Sequence, residues 1–358
     1  MEAAEKKLAP AAWKRSLQQR MLAWFGEHAR ELPWRGTRDL YAIWLSEIML
    51  QQTQVITVTA YFQRFLERFP TVSDLAAADE QEVLRLWEGL GYYRRARQLH
   101  AAAKQIVAQH EGQFPETFAE VLALPGIGRY TAGAILSIGR DLPLPILEAN
   151  TIRVLSRLLA YADDVYSTKG QKTLWQFAEE ILPAGQIGHF NQSLMELGAL
   201  VCTPRDPACL VCPVASLCPT RKHGWQAKIP APKKKTQYEE VAEAAVVIWR
   251  KDGRVLVRRC QPGERWAGLW DFPRVSAGKN SEIAAAVQSL AGVSPELGER
   301  FATLKHGVTR YRITLDVYNA TCASPGKAGQ DAQWTTIESL AALPLSVTGR
   351  KIWQLLQD

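Results

Sequence analysis

The chain has 358 residues, enough for two domains, and its hydrophobic fraction of 47% is ordinary for a globular protein. It contains no run of about 18 apolar residues, which argues against a membrane span. The net charge of +7 favours approach to a polyanion such as DNA, although many basic proteins bind no nucleic acid. The charged N-terminus lacks the apolar core of a signal peptide, so we expect a cytoplasmic protein, associated with the nucleoid if the source is bacterial.

The residue pattern divides the chain into three ranges. Apolar residues recur at helical spacing, punctuated by proline and glycine breakers, so residues 1–220 predict a mostly helical domain. Residues 221–238 carry Pro230, Pro232 and the run Lys233–Lys235, which predicts a linker. Residues 239–358 predict a small α+β domain.

The α+β prediction depends on local signals near the C-terminus. Residues 244–249 and 254–258 predict two strands joined by the turn at Asp252–Gly253. Residues 312–317 alternate polar and apolar, as a half-buried strand does. Helices are predicted at 281–290 and 349–357.

A glutamate lies within the apolar stretch Ile43–Val55. Glu47 is flanked by Leu45, Ile48 and Met49, and burying its charge among them would be costly. Desolvation should raise its pKa from a reference of about 4.3, as a general acid requires. By periodicity alone, a solvent-facing helix glutamate fits equally well.

The stretch Leu124–Ala132 predicts a tight turn that opens a helix. Gly126 and Gly128 let the backbone come close to a phosphate, and the helix N-terminus offers unpaired N–H donors. Such a turn suits sequence-independent binding to the DNA backbone. An ordinary helix–helix turn is the alternative, because two spaced glycines are weak evidence.

Four of the six cysteines lie within seventeen residues, with the spacing C-x6-C-x2-C-x5-C. In a cytoplasmic protein, this spacing favours a metal centre over disulfides. Thiolates hold both iron–sulfur clusters and zinc, and the spacing alone leaves zinc open, although only Cys209 and Cys212 form a close pair. The other two members are Cys202 and Cys218, whereas Cys260 and Cys322 stand alone as ordinary buried thiols.

Together, the cysteine spacing, the Glu47 stretch and the glycine turn resemble the endonuclease III and MutY glycosylases, and Phe190–Gln192 and Glu196–Val201 are similar to the MutY branch. The resemblance runs from about Trp13 to the C-terminal helix. It implies a helix-hairpin-helix glycosylase domain with a [4Fe–4S] cluster on the four cysteines. It also implies a monomeric enzyme that removes adenine mispaired with 8-oxoguanine or guanine in double-stranded DNA.

The same resemblance implies the catalytic roles. Glu47 matches the residue that protonates adenine, and Asn150 would orient water or the carboxylates. Glu148 stands where the family has aspartate, and a displacement of about 1 Å can cost on the order of 100-fold in rate. The alternative is that Glu148 caps or positions the hairpin while activity is impaired. Tyr130 occupies the position of the endonuclease III lysine, and a phenol cannot form a Schiff base, so no strand-cleaving lyase activity is expected.

Further matches imply how the enzyme reaches its base. Gln52 matches the wedge that fills the gap, and Tyr92, beside three arginines, resembles the tyrosine that intercalates near the lesion. A core tyrosine beside a solvated basic turn is the alternative for Tyr92. Three hairpin residues are expected on the DNA backbone: Gly126, Gly128 and Arg129. Four residues match the lining of the adenine pocket: Trp34, Arg35, Leu50 and Gln192.

The stretch Glu264–Pro273 resembles the Nudix-fold domain of MutY proteins, which reads 8-oxoguanine. Only Glu282 appears where a catalytic Nudix enzyme has paired glutamates, so pyrophosphatase activity is not expected. The family's reading loop has a Phe-Ser-His string, but this chain has Val308, Thr309 and Arg310, of which the last two could bond guanine acceptors. This departure weakens the expectation of strict 8-oxoguanine preference.

Two other functions remain open at this stage. One is a bifunctional, endonuclease III-like glycosylase and lyase, against which Tyr130 and the Nudix-like domain both argue. The other is a lesion-binding protein whose catalysis is impaired by the substitution at Glu148.

Overall fold

The computed structural model describes residues 8–232, 237–322 and 328–357. Its α-helices are α1 (Ala11–His28), α2 (Leu40–Leu50), α3 (Val55–Arg68), α4 (Val72–Ala77), α5 (Glu80–Trp87), α6 (Arg94–His110), α7 (Phe118–Leu122), α8 (Arg129–Arg140), α9 (Ala149–Leu159), α10 (Thr168–Glu180), α11 (Ile187–Leu200), α12 (Pro219–His223), α13 (Asn280–Ala291) and α14 (Val347–Leu355). Its strands are β1 (Glu239–Trp249), β2 (Val255–Arg259), β3 (Trp270–Asp271), β4 (Arg274–Ser276), β5 (Pro295–Val308), β6 (Tyr311–Cys322) and β7 (Ala332–Thr335). The predicted fold class, a helical part followed by an α+β part, is confirmed. Within the described ranges, no helix is both long and apolar enough to cross a membrane.

The chain forms two compact units, and their division does not follow the sequence order. One unit contains residues 8–77 and 98–232. The other contains residues 78–97, 237–322 and 328–357, so α5 and the loop after it group with the C-terminal strands. The ranges predicted from sequence place 78–97 in the helical domain, and the compact units cut across that prediction. The run Lys233–Lys235 lies outside the described residues.

In the helical unit, the apolar faces of α1, α9, α10 and α11 pack into one core. Helix α2 is capped by Asp39, whose carboxylate accepts the backbone N–H groups of Tyr41 (3.1 Å) and Ala42 (3.3 Å). Every residue of α2 from Leu40 to Met49 is buried. The helix is therefore enclosed on all sides, and Glu47 is carried into the interior with it.

The turn before α8 requires a glycine. Gly126 has a φ of +79°, and a Cβ there would lie 2.8 Å from the Cβ of Gln98. Gly128 is the N-cap of α8, where no side chain closes the first turn. The predicted turn and helix are both present, so the first amides of α8 are presented at the surface.

The second unit is built on a sheet of the order β3-β2-β1-β6-β5, with β4 paired to β1 and β7 to β2. Strands β1 and β6 run parallel, whereas the other pairs are antiparallel. Alternate β1 residues serve two cores: Ala244, Val246 and Ile248 lie with α13, and Ala245 and Val247 lie with α14. The hairpin, the alternating strand and both C-terminal helices predicted from sequence are confirmed.

Candidate active site

A cleft of about 460 Å³ in the helical unit brings together residues that are far apart in sequence. Its walls come from the loop before α2, from α2 itself, from α8, from the start of α9 and from α11. Nine predicted site residues line it: Trp34, Arg35, Glu47, Leu50, Gln52, Tyr130, Glu148, Asn150 and Gln192. The volume is in the range of small-molecule sites, so the cleft can hold a base.

Glu47 lies at the closed side of this cleft, with 6% of its surface exposed. The Tyr130 hydroxyl donates a hydrogen bond of 2.6 Å to its Oε2. Desolvation raises the pKa of Glu47 to about 7; the hydrogen bond from Tyr130 lowers it in part, and the charge of Glu148 adds to the rise. The carboxyl is therefore close to half protonated at neutral pH, which a general acid needs.

Tyr130 is placed between the two carboxylates by the first turn of α8. Burial, with the charges of Glu47 and Glu148, raises its pKa well above the usual value of a phenol. Tyr130 therefore stays neutral and donates a hydrogen bond to Glu47. Its hydroxyl also lies 3.5 Å from Met195 Sδ.

Glu148 caps a helix and also lines the cleft. It is the N-cap of α9, and its carboxylate accepts the backbone N–H groups of Asn150 (2.8 Å) and Thr151 (2.9 Å). The same carboxylate lines the cleft with Glu47. Burial raises the pKa of Glu148, while these amides and the charge of Arg153 oppose the rise. Capping fixes the carboxylate at the cleft and supplies donors to its anion.

The opposite wall rests on an ion-pair network that the sequence did not reveal. The Glu196 carboxylate, 1% exposed, accepts Nη2 of both Arg30 and Arg35 at 2.7 Å. Burial alone would raise the pKa of Glu196, but the hydrogen bonds from the two arginines bring it down to about 2. Arg35 is thus held by a permanent anion. Because Gln192 was predicted, helical spacing within α11 could have indicated Met195 and Glu196 on the same face.

The predicted DNA-contacting residues lie at turns in both units. In the helical unit, Gln52 follows α2 with a φ of 59°, and the exposed Arg129 lies over the Trp175 ring at 3.9 Å. In the second unit, Tyr92 has a φ of 49° and is 49% exposed. Thr309, with a φ of 53°, and Arg310 occupy the exposed turn between β5 and β6. Trp175 is a partner of Arg129 that sequence reasoning missed.

One of the three arginines beside Tyr92 does not face solvent. Arg95 is 8% exposed, and its Nη2 donates to the carbonyl groups of Leu90 (3.3 Å) and Gly91 (3.2 Å). This guanidinium shapes the turn, whereas Arg94 is exposed and Arg97 is partly buried.

All four clustered cysteines line a second, small cavity of about 30 Å³ in the helical unit. Donors point at their sulfurs: Arg157 Nη1 lies 3.3 Å from Cys202 Sγ, and Gln226 Nε2 lies 3.6 Å from Cys209 Sγ. In the described ranges, no three His, Cys, Asp or Glu side chains converge tightly enough to hold one ion. The four thiols therefore share one cavity, and two of their sulfurs have N–H donors beside them.

Comparisons with known proteins relate the chain to DNA repair. Residues 45–180 match the model of the "HhH-GPD superfamily base excision DNA repair protein", and residues 244–355 match that of the "NUDIX domain". The chain is 33% identical to "Adenine DNA glycosylase" of Mus musculus, over 96% of this chain and 78% of the relative. It is 40% identical to "Adenine DNA glycosylase" of Buchnera aphidicola subsp. Schizaphis graminum, over 71% of this chain and 74% of the relative.

The helical unit also resembles solved structures. A thermostable thymine-DNA glycosylase aligns with a TM-score of 0.55 and 28% identity, covering 59% of this chain and 98% of that protein. An endonuclease III–DNA complex, 20% identical with a TM-score of 0.52, shares the fold.

Proposed function

The chain belongs to the adenine DNA glycosylase family, and from this premise we propose that it hydrolyses the N-glycosidic bond of adenine mispaired with 8-oxoguanine or guanine. It is a DNA glycosylase of the base-excision repair type. The observation that carries the proposal is a buried Glu47 that accepts the Tyr130 hydroxyl in the cleft it shares with Glu148. In line with the family resemblance of the sequence, we propose that it acts as a monomer on double-stranded DNA.

Hydrolysis needs an acid at the base and an anion at the sugar, and the two carboxylates have suitably different surroundings. Glu47 has a single phenol as its hydrogen-bond donor and a pKa of about 7, so it can deliver a proton to adenine. Glu148 accepts two backbone amides, so it is better supported as the anion beside an oxocarbenium-like state. Asn150, whose Oδ1 accepts Arg153 Nη2 at 2.8 Å, would orient water beside it.

Tyr130 supports a monofunctional reaction that leaves an abasic site. A lyase needs an amine to attack the sugar, and this phenol is engaged with Glu47 and kept neutral by its raised pKa. Tyr130 would instead fix the orientation of the acid. Trp34, Arg35, Leu50 and Gln192 would then enclose the adenine.

The remaining predicted residues would hold and distort the duplex. The amides at Gly126 and Gly128, with Arg129, would contact phosphates at the start of α8. Gln52 and Tyr92 would occupy the space that the flipped nucleotide leaves. Thr309 and Arg310 would read 8-oxoguanine on the opposite strand.

The four cysteines would hold a [4Fe–4S] cluster, whose expected contribution is to brace the loop that contains them. Burial raises the pKa of Cys212 to about 11, so binding of the cluster would release protons from the thiols. Iron and acid-labile sulfide in equal amounts in the purified protein would support the cluster, whereas zinc without sulfide would contradict it.

Single-turnover excision on matched duplexes tests the function. Adenine opposite 8-oxoguanine or guanine should yield an alkali-labile abasic site, and thymine opposite guanine should remain intact. Absence of product from both adenine duplexes would overturn the proposal. Borohydride trapping of a covalent protein–DNA adduct would instead support the bifunctional alternative.

A further inference from the structure

The loop that carries Tyr92 is anchored in the second unit rather than in the helical unit. The anchored part, here called the Tyr92 segment, comprises residues 78–97 and consists of α5, the loop after it and the first turn of α6. The proposal below rests on the DNA-contacting role of Tyr92 given above, and it concerns which residues determine where Tyr92 lies.

Several polar contacts attach α5 to the C-terminal strands and loops. Gln81 donates to the Gly268 carbonyl at 3.0 Å and accepts Trp270 Nε1 at 2.9 Å. Arg85 Nε donates to the Ala341 carbonyl at 3.1 Å. These bonds fix the direction of α5 along the sheet-bearing part of its own unit.

The C-terminal end of α5 has the strongest attachment. Arg350, on α14, donates Nε to Glu88 Oε1 at 2.5 Å and Nη2 to Glu88 Oε2 at 2.9 Å. The two side chains are only 16% and 11% exposed, so this is a bidentate and largely desolvated ion pair. Arg350 Nη2 also donates to the Leu343 carbonyl at 2.8 Å, which fixes the guanidinium in turn.

Between Glu88 and Tyr92 the loop is rigidly built. Trp87 Nε1 donates to the Gly91 carbonyl at 3.1 Å, and Arg95 Nη2 donates to the same carbonyl at 3.2 Å. The Arg95 guanidinium lies 5.5 Å from the Tyr92 ring centre and 5.4 Å from that of Trp87. We therefore expect a displacement of Glu88 to reach the Tyr92 ring through the bonds that Trp87 and Arg95 make to the Gly91 carbonyl.

We propose that Glu88 and Arg350 are positioning residues for Tyr92: through this ion pair, α14 holds the tyrosine at the place where it enters the duplex. Neither residue needs to touch DNA. Breaking the pair frees the end of α5 and lets the loop occupy other positions, so fewer molecules present Tyr92 correctly.

A double-mutant cycle tests the proposal in the full-length protein. Binding to a duplex with adenine opposite 8-oxoguanine is measured for wild type, Arg350→Met, Tyr92→Ala and the double variant. We expect each single change to weaken binding about 10-fold, and the double variant to bind no more than slightly worse than either. A double variant weakened about 100-fold would mean independent effects and would overturn the proposal.

Two further variants separate positioning from general destabilisation. Arg350→Lys keeps the charge but loses the bidentate geometry, so its binding should lie between wild type and Arg350→Met. Glu264→Gln, which neutralises the ion-pair partner of Arg258 in the same unit without touching the Tyr92 segment, is the matched control. If Glu264→Gln weakens lesion binding as much as Arg350→Met, the effect is not specific and the proposal fails.

Hydrogen exchange of the free protein tests the anchor without reference to function. Arg350→Met should increase amide exchange in residues 88–93 while leaving the α2 amides unchanged. Unchanged exchange in 88–93 would overturn the anchor even if the enzyme excises adenine. Faster exchange together with Tyr92→Ala binding as wild type would refute the DNA role of Tyr92 and, with it, this proposal.

Discussion

The cleft around Glu47 and the turn at Thr309–Arg310 differ in how far their polar side chains are buried. In the cleft, the carboxyl groups are buried and held by hydrogen bonds: Glu196 accepts two arginines, and Glu47 accepts the Tyr130 hydroxyl. At the turn, both side chains are exposed: Thr309 Oγ1 donates to the Val308 carbonyl at 2.7 Å, and Arg310 donates to Tyr311 Oη at 2.9 Å and pairs with the exposed Glu239 at 3.4 Å. A preorganised cleft suits bond breaking, whereas a solvated turn suits recognition that forms only on contact. Substitutions in the cleft should therefore change the rate of base excision, whereas substitutions at the turn should change the discrimination between 8-oxoguanine and guanine.

The largest effect is expected from Glu47→Gln. The amide fits the same space but cannot deliver a proton, so the single-turnover excision rate should fall about 1,000-fold. The measurement uses saturating enzyme on adenine opposite 8-oxoguanine, with DNA affinity determined separately. Glu67→Gln, on the exposed face of α3, is the matched control, and an undiminished rate in Glu47→Gln would refute the acid role.

Glu148→Gln should have the next largest effect. Removing the negative charge beside the sugar should lower the rate about 100-fold, while thermal stability changes little because the side chain can still accept an amide hydrogen bond. Glu148→Asp, measured in parallel, shows whether the longer side chain is tuned to this cleft. A Gln variant as fast as wild type would leave Glu148 with the capping role alone.

The single-turnover excision rate should fall about 10-fold between pH 6 and pH 8. Glu47 must be protonated to act, and its pKa of about 7 lies between these values, so the rate falls as the pH rises. Tyr130→Phe removes a hydrogen bond that favours the charged carboxylate, which should move this limb upward by about one pH unit. The measurement is a single-turnover pH series; a limb that moves downward would contradict the assignment.

The smallest effects should come from the turn. Thr309→Ala and Arg310→Ala should leave excision of adenine opposite guanine nearly unchanged and reduce the preference for 8-oxoguanine about 5-fold. The measured quantity is the ratio of single-turnover rates on the two duplexes. The control is Arg312→Ala, which removes an exposed arginine two residues further along the chain, in β6. An equal loss of excision rate on both duplexes would indicate that the turn contacts the DNA backbone and does not read the base.

The local sequence was sufficient to predict the surroundings of a site residue when those surroundings come from its own helix. The apolar residues around Glu47 predicted a costly environment for its charge, and the structure places it in a fully buried helix. Glu148 could be interpreted both as a cap and as a site residue because capping is a local pattern. In the structure its carboxylate caps α9 and also lines the cleft.

Long-range partners could not be predicted in this way. Arg30 and Glu196 are 166 residues apart in sequence, and Glu88 and Arg350 are 262 residues apart. Periodicity reports which face of a helix is apolar but not which charged side chain will meet it. For the same reason, the grouping of residues 78–97 with the C-terminal strands has no signal in the sequence.

Three residues proposed to probe DNA, namely Gln52, Tyr92 and Thr309, have a left-handed backbone conformation that non-glycine residues adopt at a cost of about 1 kcal/mol or more. Among the other described residues with this conformation, Asp141, Ala160 and Gln186 lie at helix ends, where it closes or opens a helix. Glycine at any of the three probe positions should raise the melting temperature while removing the side chain that meets the duplex. Directed evolution for heat tolerance alone would therefore tend to select glycine at these three positions. The resulting variants would be more thermostable but would discriminate lesions poorly.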